Sequence, residues 1–213
     1  MSSRITGRWT TVLLGALTIA ACSDNPQKVK QDAVARGDQF AKDNKYGEAI
    51  IEYRRAIQAD AQVGEGHLKL ADTLLKNEDV IGAIREYIRA ADLLPNDVDL
   101  QVKVGNMLLA AGRFDDARVR AEKALEKNSK NGPALVLRGN AMAGLKDLDA
   151  ALSDMETALA SDPGKATTYA NLGLLQSLRG DAGKAEEAFT TAIQTDGANV
   201  QVRLAYEIGR AHV

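Results

Sequence analysis

Apolar and small side chains recur along this chain at intervals of three and four residues, the spacing of one face of an α-helix. In one segment Val104, Gly105 and Leu108 share such a face, and in the segment before it Ala83 and Tyr87 do the same. No β-rich segment interrupts this pattern. It predicts an all-α protein built from successive short helices.

The helical pattern repeats every 34 residues without an insertion. Alanine recurs at this interval in two series that lie seven residues apart, and a small residue forms a third series twelve residues before the first. The three series are Ala49, Ala83, Ala117, Ala151 and Ala185; Ala56, Ala90, Ala124, Ala158 and Ala192; and Gly37, Ala71, Gly105, Gly139 and Gly173. A period of this length is typical of stacked helix pairs, because one pair cannot bury its apolar face alone.

These positions resemble the tetratricopeptide repeat, which places a small residue in one helix and then alanine, an aromatic residue and alanine along the next. Tyr53, Tyr87 and Phe189 stand at the aromatic position, where Ala121 and Met155 replace them in two repeats. The resemblance implies an α-solenoid, a right-handed superhelix of five helix-turn-helix repeats plus the start of a sixth. The predicted repeats 1 to 5 are 30–63, 64–97, 98–131, 132–165 and 166–199, and the sixth begins at 200–206.

Three residues that tolerate a left-handed backbone fall between the paired helices of their repeats. They are Asn44, Gly112 and Gly180. A residue with positive φ commonly ends a helix. The sequence therefore predicts a tight left-handed turn inside these repeats.

By the same resemblance, the first helix of every repeat faces a concave groove. Its second, fifth, ninth, twelfth and thirteenth positions line this groove, with an apolar row at the fifth position of each repeat and a polar row at the ninth. The apolar row is Val34, Leu68, Val102, Val136 and Ala170, and the polar row is Asp38, Asp72, Asn106, Asn140 and Leu174. A side-chain amide both donates and accepts hydrogen bonds, so Asn106 and Asn140 are candidates for pairing with the main chain of an extended peptide. The alternative is that the polar row is only solvated surface between repeats.

Composition argues against several other functions. The net charge is −2, lysine and arginine are spread along the chain and aromatic residues make up only 4%, so no basic surface with stacking rings is available to nucleic acid. The only two histidines are His67, at a helix-packing position where half-burial is expected, and His212 near the end. Histidine-dependent catalysis and metal sites lack their usual ligands. We therefore expect no catalytic residue, no metal, no cofactor and no small-molecule substrate.

The first residues have the layout of a secretion signal. Arg4 and Arg8 precede an apolar stretch over 9–21, which is too short to span a bilayer core as a helix. The stretch ends Ile19-Ala20-Ala21-Cys22, which resembles the lipobox of bacterial lipoproteins. The resemblance implies that the signal peptide, 1–21, is removed and that Cys22 is lipidated. The alternative is a plain signal peptide that happens to stop at a cysteine.

Lipidation of Cys22 implies a stable membrane anchor, because two or more acyl chains hold a protein where one gives only marginal binding. In the sorting rule of such lipoproteins, Ser23 at the next position favours the outer over the inner membrane. Residues 22–29 are predicted to comprise the lipidated cysteine and a polar tether. The expected location is the periplasmic side of a bacterial membrane.

The last seven residues, 207–213, resemble the translation of a sequencing adapter. We expect them to be an artefact and the natural chain to be longer. The alternative is an ordinary terminal half-repeat.

Together these features predict a membrane-anchored scaffold or assembly factor of the bacterial cell envelope that binds a protein or peptide partner and is not an enzyme. The chain is similar to repeat lipoproteins of exosortase and exopolysaccharide systems, and to those that assist type IV pilus assembly. The alternative, from another class, is the amino-terminal repeat region of a larger envelope enzyme or glycan-binding protein.

Overall fold

The computed structural model describes residues 25–211; the predicted signal peptide, Cys22 and His212 lie outside this range. Within it the chain forms eleven α-helices and no strand, which confirms the all-α solenoid prediction. None of these described helices is both long and apolar enough to cross a membrane. They are α1 (Pro26–Lys42), α2 (Tyr46–Ala59), α3 (Gly64–Lys76), α4 (Val80–Leu93), α5 (Val98–Ala110), α6 (Phe114–Lys127), α7 (Gly132–Gly144), α8 (Leu148–Ser161), α9 (Ala166–Arg179), α10 (Ala182–Asp196) and α11 (Val200–Ala211).

The helices pair as the 34-residue period predicts. α1 packs against α2 and α3 against α4, and the pairing continues to α9 against α10, so every repeat is one helical hairpin. The second helix of each repeat also contacts the first helix of the next repeat, and α11 packs on α9 and α10. Contacts between neighbouring repeats are the arrangement of a solenoid.

The turn inside each repeat has the same left-handed backbone in all five repeats. Asn44, Gly112 and Gly180 have φ angles of 58°, 71° and 86°, as the sequence predicts. Glu78 and Lys146 take the same conformation at the equivalent positions, with φ angles of 65° and 67°. A Cβ atom disfavours this conformation. The packing of the two helices must therefore stabilise the turn at Glu78 and Lys146.

The two alanine series form the contact surface between helices. All ten alanines are buried, with no more than 4% of any one exposed. Beside them, the rings of Tyr53 and Phe189 lie so close to Gly37 and Gly173 that a Cβ atom on either glycine would overlap the ring. Small residues at these positions let the helices approach closely, and the larger side chains fill the space between repeats.

The predicted tether over 22–29 is wrong for its last four residues, because 26–29 form the first turn of α1. Pro26 suits the first helical position, since its fixed φ is helical and its missing N–H would have no partner there. The side chain of Asn25 caps the same turn by accepting a hydrogen bond from the backbone N–H of Gln27 at 3.0 Å.

α11 continues the pattern into the sixth repeat. Val202 and Ala205 are buried against repeat 5, and the ring of Tyr206 meets that of Phe189 edge to face with centroids 5.8 Å apart. Residues 207–211 belong to the same helix. That 207–213 are an adapter artefact stays a prediction.

Candidate binding groove

The apolar row keeps partial access to solvent in four of the five repeats. Val34, Leu68, Val102 and Val136 are half-buried. Ala170 is the exception, because only 2% of it is exposed and it belongs to the core shared by α9, α10 and α11. The prediction that Ala170 lines the groove is therefore corrected: its methyl group is too short to project past the residues packed around it.

The polar row lies at the surface but its members differ in what they bind. Asp38, Asp72 and Asn106 are exposed, whereas Asn140 and Leu174 are half-buried. Both carboxylates have partners inside the protein. The side chains of Asn106 and Asn140 make no hydrogen bond among the described residues.

The first carboxylate of the polar row joins repeats 1 and 2. The hydroxyl of Tyr53 donates a hydrogen bond to Oδ1 of Asp38 at 2.7 Å. The ammonium group of Lys69, in repeat 2, donates to both oxygens of Asp38 at 2.9 and 3.0 Å. We call this Tyr–Asp–Lys arrangement an inter-repeat lock, because it ties α1, α2 and α3 together.

A second lock occurs at the same three positions one repeat later. The hydroxyl of Tyr87 donates a hydrogen bond to Asp72. Lys103, in repeat 3, donates to the hydroxyl oxygen of Tyr87 at 2.7 Å and lies 3.2 Å from Oδ1 of Asp72. Its ammonium group is also 4.0 Å from the centroid of the Tyr87 ring, a cation–π contact. This lock ties repeats 2 and 3 together.

Both locks raise the pKa of their tyrosine and of their lysine. Burial raises the pKa of Tyr53 and Tyr87, and the hydrogen bond to the neighbouring aspartate raises it further. Burial alone would lower the pKa of Lys69 and Lys103, but hydrogen bonds to the lock partners outweigh it and the pKa of each lysine is raised. At neutral pH each lock therefore holds a neutral tyrosine beside a charged lysine.

The remaining junctions of the solenoid have other residues at the lock positions. Between repeats 3 and 4 these are Asn106, Ala121 and Leu137, and between repeats 4 and 5 they are Asn140, Met155 and Asn171. Leu137 stands at the position that Lys69 and Lys103 occupy in the two earlier repeats. It is 1% exposed and packs against Gly105. A hydrophobic contact thus replaces the lock, and in the described part of the chain the amide of Asn106 has no hydrogen-bond partner.

Charge divides the groove into two halves. The comparison uses four positions of the first helix in each repeat: the second, the ninth (the polar row), the thirteenth, and the sixth, where the lock lysines stand. In repeats 1 to 3, the charged half, the charged side chains at these positions are Asp38, Lys42, Glu65, Lys69, Asp72, Lys76, Asp99 and Lys103. In repeats 4 and 5, the uncharged half, the same positions hold Pro133, Asn140, Gly144, Thr167, Asn171, Leu174 and Leu178, together with Leu137, which is buried. The two halves therefore offer different chemistry to a ligand.

The uncharged half contains a hollow of about 240 Å³ between repeats 4 and 5. Pro133, Val136 and Thr167, all at predicted groove positions, contribute to its lining. Asp162 and Lys165 also line it, and their charged atoms lie 3.8 Å apart, so their charges offset one another. The hollow is large enough to receive a side chain of a bound peptide.

Two other polar contacts join helices away from the predicted groove rows. His67 is buried, more fully than the sequence predicts, and its Nδ1 atom lies 2.6 Å from Oε2 of Glu86. Arg138 donates two hydrogen bonds to Asp154, at 2.8 and 2.6 Å, which raise the pKa of Arg138. Across residues 25–211 no group of three histidine, cysteine or acidic side chains is arranged to hold a metal ion.

The lysines of the locks, and Asn171, are the groove residues that sequence analysis misses. A signal for the locks exists: each aspartate is followed by a tyrosine after 15 residues and a lysine after 31. The combination occurs in two successive repeats and in no later one. Such a set spans three helices, so its meaning depends on knowing which helices pack together.

The repeat region of this chain matches models of a known protein family. Models of the family described as tetratricopeptide repeat match residues 34–98, 68–134, 108–173 and 166–199. The matches overlap and together run without a gap from 34 to 199.

Solved structures with the same fold cover most of the chain. YrrB, described as a TPR protein with an unusual peptide-binding site, is 20% identical with a TM-score of 0.70, over 85% of this chain and 97% of YrrB. MamA is 19% identical with a TM-score of 0.69, over 80% and 93% of the two chains. MamA from Desulfovibrio magneticus RS-1 is 18% identical with a TM-score of 0.65, over 84% and 99%. At these identities the likeness shows the fold.

A curated relative contains a similar segment within a much longer chain. The Protein CTR9 homolog of Arabidopsis thaliana is 28% identical over 165 residues, which is 75% of this chain. The matching segment spans only 15% of that relative.

Proposed function

Because the chain belongs to the tetratricopeptide repeat family, we propose that it is a non-catalytic scaffold of the bacterial cell envelope that binds a partner protein through its concave groove. The observation that carries the proposal is that two side-chain amides of the polar row have no hydrogen-bond partner among the described residues. Asn106 and Asn140 present amides that have no partner within residues 25–211, and each lies four residues from a half-buried valine of the apolar row on the same helix.

This arrangement suits an extended segment of a partner protein. An amide can donate to a main-chain carbonyl and accept from a main-chain N–H, so two amides in successive repeats hold the backbone of the segment. Val102 and Val136 then contact its apolar side chains. YrrB, with the same fold, is described as having a peptide-binding site, which supports a peptide ligand here.

The groove proposal is tested by site-specific crosslinking in cells that produce the full chain. A photo-crosslinking residue in place of Asn140 should couple to an envelope protein, and one in place of Ile51, which is 65% exposed on α2 outside the groove-facing helices, should not. Asn106→Ala together with Asn140→Ala should lower capture of that protein by about tenfold without changing helicity, since two hydrogen bonds are lost. Unchanged capture by the double variant would contradict the proposal.

We further propose that Cys22 carries the lipid that holds this scaffold on the periplasmic side of a membrane, with the outer membrane favoured. The lipobox-like sequence before Cys22 supports this. Cys22→Ser should abolish labelling by a fatty-acid analogue and release the protein from membranes, because acyl chains supply the membrane affinity. Ser23→Ala is the matched control and should keep both. Persistent labelling of Cys22→Ser would overturn the anchor but leave the groove proposal intact.

A further inference from the structure

We propose that the uncharged half of the groove is a specificity subsite that selects an uncharged segment of the partner with at least two apolar side chains. The inference rests on the proposed groove function and adds the chemistry of the ligand. At the groove positions compared above, the first three repeats carry charged side chains and repeats 4 and 5 carry none.

The absence of charge makes this half costly for a charged ligand. A charged side chain that enters the hollow loses hydration, and the two charged residues that line the hollow, Asp162 and Lys165, already lie 3.8 Å from each other. In the charged half, by contrast, exposed Lys42 and Lys76 lie where a charged ligand keeps both solvent and counter-charge. Desolvation therefore disfavours charged segments in repeats 4 and 5.

The same half offers favourable contacts to apolar side chains at two places. The hollow lined by Pro133 and Val136 receives one side chain. Leu178, 64% exposed at the last turn of α9, provides a second apolar contact at the position that Lys76 occupies in repeat 2. Burial of each apolar side chain contributes about 1.5–3 kcal/mol before the cost of ordering the segment.

Unpaired amides lie between these two contacts. Asn140 and Asn171 are half-buried and make no side-chain hydrogen bond among the described residues. They can pair with the main chain of the segment whatever its side chains are. The main chain thus binds by hydrogen bonds, and the apolar contacts select the side chains.

The structure suggests a variant that replaces this chemistry without weakening the fold. Thr167→Glu with Leu178→Lys copies Glu65 and Lys76, the residues at the same positions of repeat 2. Thr167 lies in the first turn of α9 and Leu178 in its last turn. An acid at the start and a base at the end of a helix are both compatible with its dipole.

The test is selection from a phage-displayed library of random peptides of about twelve residues on the purified chain, followed by affinity measurement with labelled synthetic copies. We expect selected peptides to be uncharged with two or more apolar residues, and to bind Thr167→Glu/Leu178→Lys about tenfold more weakly than the unchanged chain. Ile51→Lys should bind them normally. Thermal unfolding followed by circular dichroism establishes that both variants are folded.

Three results would overturn the inference. They are a selection dominated by charged peptides, full affinity of the selected peptides for the Thr167→Glu/Leu178→Lys variant, and a selection that yields no peptide. If affinity falls with Lys42→Glu/Lys76→Glu and not with the repeat 5 variant, the groove still binds peptides and only the subsite is wrong. If both double variants bind the selected peptides with unchanged affinity, or if no peptide is selected, the proposed groove function fails together with the subsite.

Discussion

The two halves of the groove use polar side chains in different ways. In the charged half, Asp38 and Asp72 are each held by a tyrosine and by a lysine of the next repeat. In the uncharged half, Asn140 and Asn171 are free among the described residues. The polarity of a groove position therefore does not say whether that position is available to a ligand. In the charged half, Asp38, Lys69, Asp72 and Lys103 join repeats, whereas Lys42 and Lys76 stay exposed.

The same comparison shows two ways of packing one fold. At the aromatic position, Tyr53 and Tyr87 combine ring burial with a hydrogen bond to the polar row, whereas Phe189 combines ring burial with an edge-to-face contact to Tyr206. Leu174 stands at the polar-row position of the repeat that contains Phe189. Each aromatic side chain thus matches its neighbour in the polar row, and exchanging one of them without the other should reduce stability.

The largest effect is expected when an aromatic ring is removed from the core. Tyr87 is fully buried, so Tyr87→Ala should lower the free energy of unfolding by about 3–5 kcal/mol through lost burial and an unfilled cavity. Denaturant unfolding measures this. Ile51→Ala, at an exposed site, is the control and should change stability by less than about 0.5 kcal/mol. A small loss for Tyr87→Ala would mean that the ring does not hold the repeats together.

A smaller effect is expected from giving the uncharged half the tyrosine of the charged half. Phe189→Tyr should destabilise the protein by about 1–3 kcal/mol, because Leu174 stands where the locks have an aspartate and the para carbon of the ring lies against Gly209, so the new hydroxyl meets no carboxylate. Adding Leu174→Asp supplies the acceptor that Asp38 and Asp72 provide in the locks. The double variant should therefore be more stable than the sum of the two single changes predicts, by about 1 kcal/mol. Additive changes would show that the lock does not depend on this pairing.

Alkaline pH should weaken the charged half selectively. The pKa of Tyr53, Tyr87, Lys69 and Lys103 is raised in the folded protein, so the unfolded chain loses these protons first as pH rises. The stability due to the locks is fully present below about pH 10 and falls above it. The midpoint of thermal unfolding, measured from pH 8 upwards, should drop less for Tyr53→Phe/Tyr87→Phe than for the unchanged chain. Parallel curves for the two proteins would contradict the role of the locks.

The smallest effect concerns the turns, which are alike in both halves. Glu78 and Lys146 have left-handed backbones that glycine adopts without a Cβ penalty. Glu78→Gly and Lys146→Gly should each raise the free energy of unfolding by up to about 1 kcal/mol, since the greater freedom of glycine in the unfolded chain offsets part of the gain. Gly112→Ala, the reverse change, should lower it. Thermal unfolding resolves the sign of each change.

Much of the fold follows from the sequence because the period fixes which residues face each other. The alanine series predicts the helix contacts, and Asn44, Gly112 and Gly180 predict left-handed turns, as the structure has them. The sequence does not predict the start of α1, because a proline such as Pro26 can either interrupt a helix or begin one. Here it begins the helix, and the side chain of Asn25 caps the first turn.

The groove was harder to predict than the fold. The positions of its rows follow from the repeat, but the partners of Asp38 and Asp72 lie on two other helices, and side-chain direction decides whether they meet. The burial of Ala170 depends on α11, which follows it by 30 residues. Local sequence cannot show either.

Hydrogen exchange of the full chain, with and without a saturating selected peptide, tests most directly whether the uncharged half is the part that binds. We expect the added protection to concentrate in α5, α7 and α9 and to be small in α1 and α3. Protection confined to α1 and α3, or equal in all the first helices, would contradict it.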